Sequence, residues 1–196
     1  MKAALAAVAM LLTGCATGAA ASTTLSADPL HYLLTLNDMV SPDFTAGDAA
    51  HPVDASALAG GSQAVAQRLA GEGLQAAATV RYFRSVDLAT SNGPVDVIDT
   101  AERFSSAAGA ASSYASDVAV LDSASGAVPV STGHLGDEAH AVSVVRATAS
   151  GLAVVQITLE WRTANVVNVL VVRGRYGGTR LDDALTLASR IVTMER

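Results

Sequence analysis

The sequence predicts an α+β domain of two layers, an antiparallel sheet that ends in a C-terminal meander and packs against amphipathic helices. Three observations carry this. Residues 153–162 alternate with period two, so Ala153, Val155, Ile157, Leu159 and Trp161 share one face while Gln156, Thr158, Glu160 and Arg162 share the other. Strand-length runs at 139–148 and 166–173 flank this segment across Ala149-Ser150-Gly151 and Thr163-Ala164-Asn165, which makes a meander with one buried and one wet face. Beyond it, Leu181, Ala184, Leu185, Ala188, Ile191 and Val192 recur at helical spacing, a stripe suited to covering the buried face.

The earlier elements follow in order. Leu30 to Leu36 is a short apolar element, helix or strand, closed by the turn Ser41-Pro42-Asp43. Asp54 can cap a helix running to about Ala70, with Leu58, Val65 and Leu69 on one face. Gly60-Gly61 weakens its first half by about 1 kcal/mol per glycine relative to Ala. Leu74 to Ser85 reads as a strand with Val80, Tyr82 and Phe83, and Ser91-Asn92-Gly93-Pro94 turns into a second, Val95 to Phe104. Ser105 or Ser106 starts a helix whose inner face is Ala107, Ala110, Ala111, Tyr114, Val118 and Leu121, small enough to approach a sheet closely. Thr179 is the expected cap of the last helix, with Asp182 at its third position.

The N-terminus carries an address. Lys2 is followed by an apolar run from Ala3 to Leu12, the length of a signal-peptide core and too short to span a bilayer. It ends in Leu12-Thr13-Gly14-Cys15, which resembles the lipobox of bacterial lipoproteins. The resemblance implies cleavage between Gly14 and Cys15 and a diacylglyceryl group on the Cys15 sulfur. The expected organisation is a signal peptide over 1–14, a lipidated tether over 15–28 and one extracytoplasmic domain over 29–196. About thirteen tether residues have a root-mean-square reach of roughly 20 Å.

Composition excludes several partners. The one lysine, Lys2, leaves with the signal, which takes the formal net charge from −6 to −7 and leaves 11 Arg against 18 acids. A chain so acidic has no basic stripe for nucleic acid and no electrostatic hold on anionic lipid. Membrane association therefore falls to the acyl chains. Cys15 is the single cysteine, so lipidation leaves neither a disulfide nor a thiolate.

Candidate chemistry is sparse. Gly133 to His140 holds His134, Asp137, Glu138 and His140, but Gly133 and Gly136 disfavour the helical turn that convergence on a metal requires. The expectation is a turn with Asp137 bonding local amides, and no metal site. Asp96, Asp99 and Glu102 read as a solvated strand face, with Asp99 pointing opposite to the other two. Glu160, Arg162 and Arg173 read as cross-strand charge pairs on the wet face. No Gly-x-Ser-x-Gly elbow is present, and Gly174 to Gly178 lacks a Walker lysine. Trp161 is expected in the core, with Tyr82, Phe83 and Tyr114 lining it too. No catalytic residue and no cofactor are expected.

Three segments carry a further resemblance: Leu135-Gly136-Asp137-Glu138-Ala139 entering a strand, Trp161-Arg162-x-x-Asn165-Val166-Val167 as a hairpin, and Ala184 to Arg190 in a final helix. They resemble actinobacterial-type extracytoplasmic lipoproteins and the extracellular sensor domains of mycobacterial serine/threonine kinases. This chain departs from the latter in lacking their paired cysteines. The resemblance implies a non-enzymatic domain at the outer side of the cell membrane that binds a ligand or an envelope protein partner. A second reading is a carrier of a lipid or other hydrophobic ligand in a cavity between sheet and helices, and a third is an enzyme.

Overall fold

The computed structural model describes residues 24–196. The expected signal peptide, its Gly14–Cys15 cleavage point and the lipidation of Cys15 lie outside the described residues. Chain order is β1 (Phe44–Val53), α1 (Ala55–Leu58), α2 (Gln63–Gly71), β2 (Leu74–Arg84), β3 (Asp96–Phe104), α3 (Ala107–Ser123), β4 (Ala127–Pro129), β5 (Glu138–Ala147), β6 (Ala153–Thr163), β7 (Val166–Arg175) and α4 (Leu181–Met194). The strands form a single sheet in the order β1-β2-β3-β7-β6-β5-β4, antiparallel throughout. Among the described residues no helix is long and apolar enough to cross a membrane.

The α+β architecture and the meander stand as the alternation predicts. Trp161, Leu159, Ile157 and Val155 enter the main core with Val166, Leu170 and Val172 of β7. That core is closed by α4 through Ala184, Leu187, Ala188 and Ile191, and by the N-terminal segment through Tyr32, Leu33 and Leu34. Burying each large aliphatic here contributes about 1.5–3 kcal/mol. Residues 29–32 and 36–38 are 3₁₀ turns rather than one helix or strand, and Leu33-Leu34 runs extended between them.

The other face of the sheet is covered as well, which gives three layers in place of two. There α2 and α3 pack a second core of Leu69, Phe104, Ala110, Tyr114 and Val167. Tyr114 therefore belongs to this second core, and Phe83 is 40% exposed instead of lining either.

Local chemistry explains where single elements differ from expectation. The helix expected from Asp54 to Ala70 is two helices. Asp54 does cap α1, accepting from Ala57 N at 2.8 Å. Gly60 and Gly61 then take φ of 56° and 83°, a left-handed stop that glycine adopts without steric cost, and Ser62 caps the restart. Thr179 is not the cap of α4. Its hydroxyl donates to Gly93 O at 2.9 Å, and the helix begins one residue later, with Asp183 accepting from Arg180 N at 2.9 Å. Strand β1 has no sequence signal, because its residues are exposed on both faces between Phe44 and Val53. It forms by pairing with the edge of β2, with irregular register around Asp48 that blunts the free edge.

The fold also takes in chain before Pro29. Leu25 N donates to Asn165 Oδ1 at 2.7 Å, and Asn165 Nδ2 donates to Leu25 O at 3.1 Å and to Phe104 O at 2.8 Å. Asp28 then caps the first 3₁₀ turn.

Candidate functional site

The residues singled out between 133 and 140 do not converge. Asp137 Oδ2 accepts from Ala164 N at 2.8 Å and from Arg162 at 3.1 Å, while Glu138 takes the other side of the same guanidinium at 2.7 Å. Asp137 thus bonds an amide 27 residues away, not a local one. Its partner amide belongs to Ala164, which holds φ of 52° in the β6–β7 turn. These contacts offset the cost of a left-handed alanine, about 1–2 kcal/mol. His140 Nε2 lies 2.8 Å from Asp122 on α3. Among the described residues no group of three or more His, Cys, Asp or Glu is placed to hold a metal ion.

Chemistry gathers elsewhere, between the sheet and the helices α2 and α3. Gly109 lets the start of α3 press against the end of α2, since a Cβ there would sit 2.0 Å from Glu72 O. The buried Ala110 and Ser113 continue this close contact. The C-terminal half of α3 lines, over the sheet, a cavity of about 290 Å³. Leu58 and Val65 line it from one side, Val120 and Leu121 from α3, and Leu69 and Val169 lie at its base.

Into this apolar cavity project carboxyl groups. Glu102 of β3 and Glu160 of β6 stand on the same face, opposite Val167 and Val169 of the strand β7 between them. They are 7% and 1% exposed. Both line the cavity, and Glu102 Oε2 and Glu160 Oε1 are shut off from solvent with no hydrogen-bond partner. The expected solvated face of Asp96, Asp99 and Glu102, and the expected wet-face pairing of Glu160, are overturned by this burial. Arg162 and Arg173 pair elsewhere, Arg173 with Asp96 at 3.0 Å. Of the three acids Asp96 alone is ion-paired, receiving Arg81 at 2.7 Å as well.

Burial is the leading cause of the electrostatics here. It pushes the Glu102 carboxyl up to about 8, helped by the nearby Asp117 charge and opposed by Arg68. Glu160 is pushed up to about 9 by burial first and then by the like charges of Asp117 and Glu102. Asp117 is also raised by burial although Arg68 faces it. The Arg68 guanidinium on the cavity wall is already committed, to Asp117 at 2.6 Å and Glu72 at 3.0 Å. At neutral pH both glutamates are therefore mostly protonated, each with one oxygen enclosed and unpartnered.

Asp99 faces the main core, opposite to Glu102 as the pleat requires, but is fully buried. Its Oδ2 accepts from Leu34 N at 2.7 Å, and Tyr82 donates to Leu34 O at 2.8 Å, so it docks the N-terminal segment. Burial raises it to about 7, with Glu195 and Asp38 adding to the shift.

No protein-family profile matches the chain, and no curated protein matches it in sequence. Among solved structures the fold is similar to the extracellular domain of PknH from Mycobacterium tuberculosis, with a TM-score of 0.58 at 15% identity. The match covers 84% of this chain and 92% of that one. At that identity the likeness is one of fold.

Proposed function

We propose that the chain is a sensor-like domain on the outer side of the cell membrane, anchored by lipid on Cys15, that binds a small ligand in the cavity between the sheet and α3. The cavity with its two buried, unpartnered glutamates carries this reading. A buried polar group without a partner costs about 1–3 kcal/mol, and such a cost at a cleft is the usual mark of a site that a ligand completes. The cavity sits near the lower end of the size range of small-molecule sites. Fold likeness to an extracellular domain supports the location.

Binding fits the electrostatics better than catalysis does. Acid–base chemistry by a carboxyl pair needs one member ionised and one protonated, their pKa values pushed apart. Here both rise together. The test is native mass spectrometry of the protein released from the membrane, beside a Leu121→Trp variant that fills the cavity. A small-molecule adduct on the wild type that is absent from the variant is expected. An adduct that persists unchanged in Leu121→Trp refutes the site. Labelling with a clickable fatty acid tests the anchor, and equal label on wild type and Cys15→Ser sinks it.

A further inference from the structure

We infer that the ligand of this cavity is an amphiphilic amine, its ammonium seated between Glu102 and Glu160 and its alkyl body laid along the apolar wall. The inference rests on the cavity being a ligand site and names what enters it.

Charge decides among ligand classes. Glu102 faces the cavity from β3, Glu160 from β6 and Asp117 from α3, with Glu72 at the C-cap of α2 bonded to Arg68 and Ser112. Among the described residues lining the cavity Arg68 is the one guanidinium, bonded to Glu72 and Asp117 before any ligand arrives, while His140, opposite Glu160 on β5, is held by Asp122 of α3. Tyr114, the other titratable group of α3 near Glu160, is pushed up to about 12 by burial and stays neutral. An anion entering here meets three carboxyls and a guanidinium that two carboxylates already hold. A neutral alcohol can accept one hydrogen bond and leaves the rest unpaired. An ammonium gives donors to both glutamates and supplies the one charge that lets Glu160 ionise in place, where a charge-assisted bond is about twice as strong as a neutral one. Leu58, Val65, Leu69, Leu121 and Val169 offer the alkyl body its contact. A cavity of about 290 Å³ suits a short alkyl chain.

Ionisation on binding ties affinity to pH. The free protein holds the Glu160 proton at neutral pH, and the ammonium complex releases it to solvent. Affinity for an amine therefore rises with pH, by up to about tenfold per unit below the carboxyl's raised pKa, while the amine itself stays charged.

The experiment is calorimetric titration of the full chain in phosphatidylcholine nanodiscs with hexylammonium, hexanoate and hexanol. Hexylammonium is expected to bind saturably and at least tenfold tighter than the other two. Its affinity should rise with pH, with proton release seen as a dependence of heat on the buffer's ionisation enthalpy. Glu160→Gln keeps the shape of the protonated side chain, and circular dichroism checks its fold. It should lose the preference for the amine and flatten the pH slope, and Glu102→Gln should independently weaken that preference. Binding of hexanol or hexanoate as tightly as hexylammonium, or a flat pH profile in the wild type, overturns the amine and leaves a small-ligand cleft standing. No saturable binding of any of the three at millimolar concentration overturns both readings.

Discussion

Replacing Glu160 by Gln isolates the cost of the buried carboxyl. The folded protein holds that proton to about pH 9, whereas the unfolded chain releases it near the ordinary value of 4.5. Between these limits the unfolded state binds fewer protons, so stability falls as pH rises. The penalty is absent below the unfolded pKa, grows by about 1.4 kcal/mol per pH unit above it, and is complete above the folded pKa. At pH 7 it reaches about 3 kcal/mol, a large part of a total stability of about 5–15 kcal/mol. Glutamine has no proton to lose, and its amide meets the same lack of partners as the protonated acid. Glu160→Gln should therefore match the wild type near pH 4.5 and exceed it by about 3 kcal/mol at pH 7, a gain of about 6–12 °C in Tm. Glu102 titrates in both proteins, its shift set by burial, Asp117, Arg68 and Glu72, and so largely cancels. Urea titrations at about pH 5, 6, 7 and 8 read the difference directly. Parallel stability curves for the two proteins across that range would refute the reasoning, because they would mean that Glu160 ionises at its ordinary pKa in a wet cleft.

Two further outcomes follow from contacts described above. Asp99→Ala should cost about 1–3 kcal/mol by leaving Leu34 N buried without an acceptor, while Asp99→Asn keeps the acceptor and should remove the loss of stability that develops as pH rises from the carboxyl's ordinary range to about 7, both read by urea denaturation. Gly109→Ala should destabilise by about 1–3 kcal/mol, because its Cβ meets the Glu72 carbonyl and pries α3 from α2, and a wild-type melting temperature for this variant would contradict the close packing of the two helices.

The strands of the meander are legible because one face of each is apolar and the turns between them are short. The same alternation misleads about the second face. Thr158 and Glu160 occupy polar positions in β6 and read as solvated, yet they are 4% and 1% exposed. A signal for this exists in the chain. Leu58, Val65 and Leu69 on one helical stretch and Tyr114, Val118 and Leu121 on another need a surface to bury, and α4 already claims one side of the sheet. Three apolar helical stripes on one sheet require both faces. No such signal marks β1, which past the buried Phe44 is held by backbone pairing and not by side-chain burial. Nor does spacing reveal that Asp137 and Arg162 serve a hairpin turn, since their joint partner Ala164 is an unremarkable residue whose φ alone makes it special.

The clasp between Leu25 and Asn165 has a bearing on how the domain is presented to its surroundings. It fixes the point where the chain leaves the fold at the β6–β7 hairpin, and the sheet runs from there to the opposite end, where Tyr176 is 59% exposed just past β7. If Cys15 carries the proposed lipid, nine residues lie between it and the clasp, at most about 35 Å of extended chain. The leash is thus shorter than the full segment before Pro29 suggests. Under the proposed anchor it would pull on one pole of the molecule only, turning the hairpin pole to the bilayer and the Tyr176 pole outward.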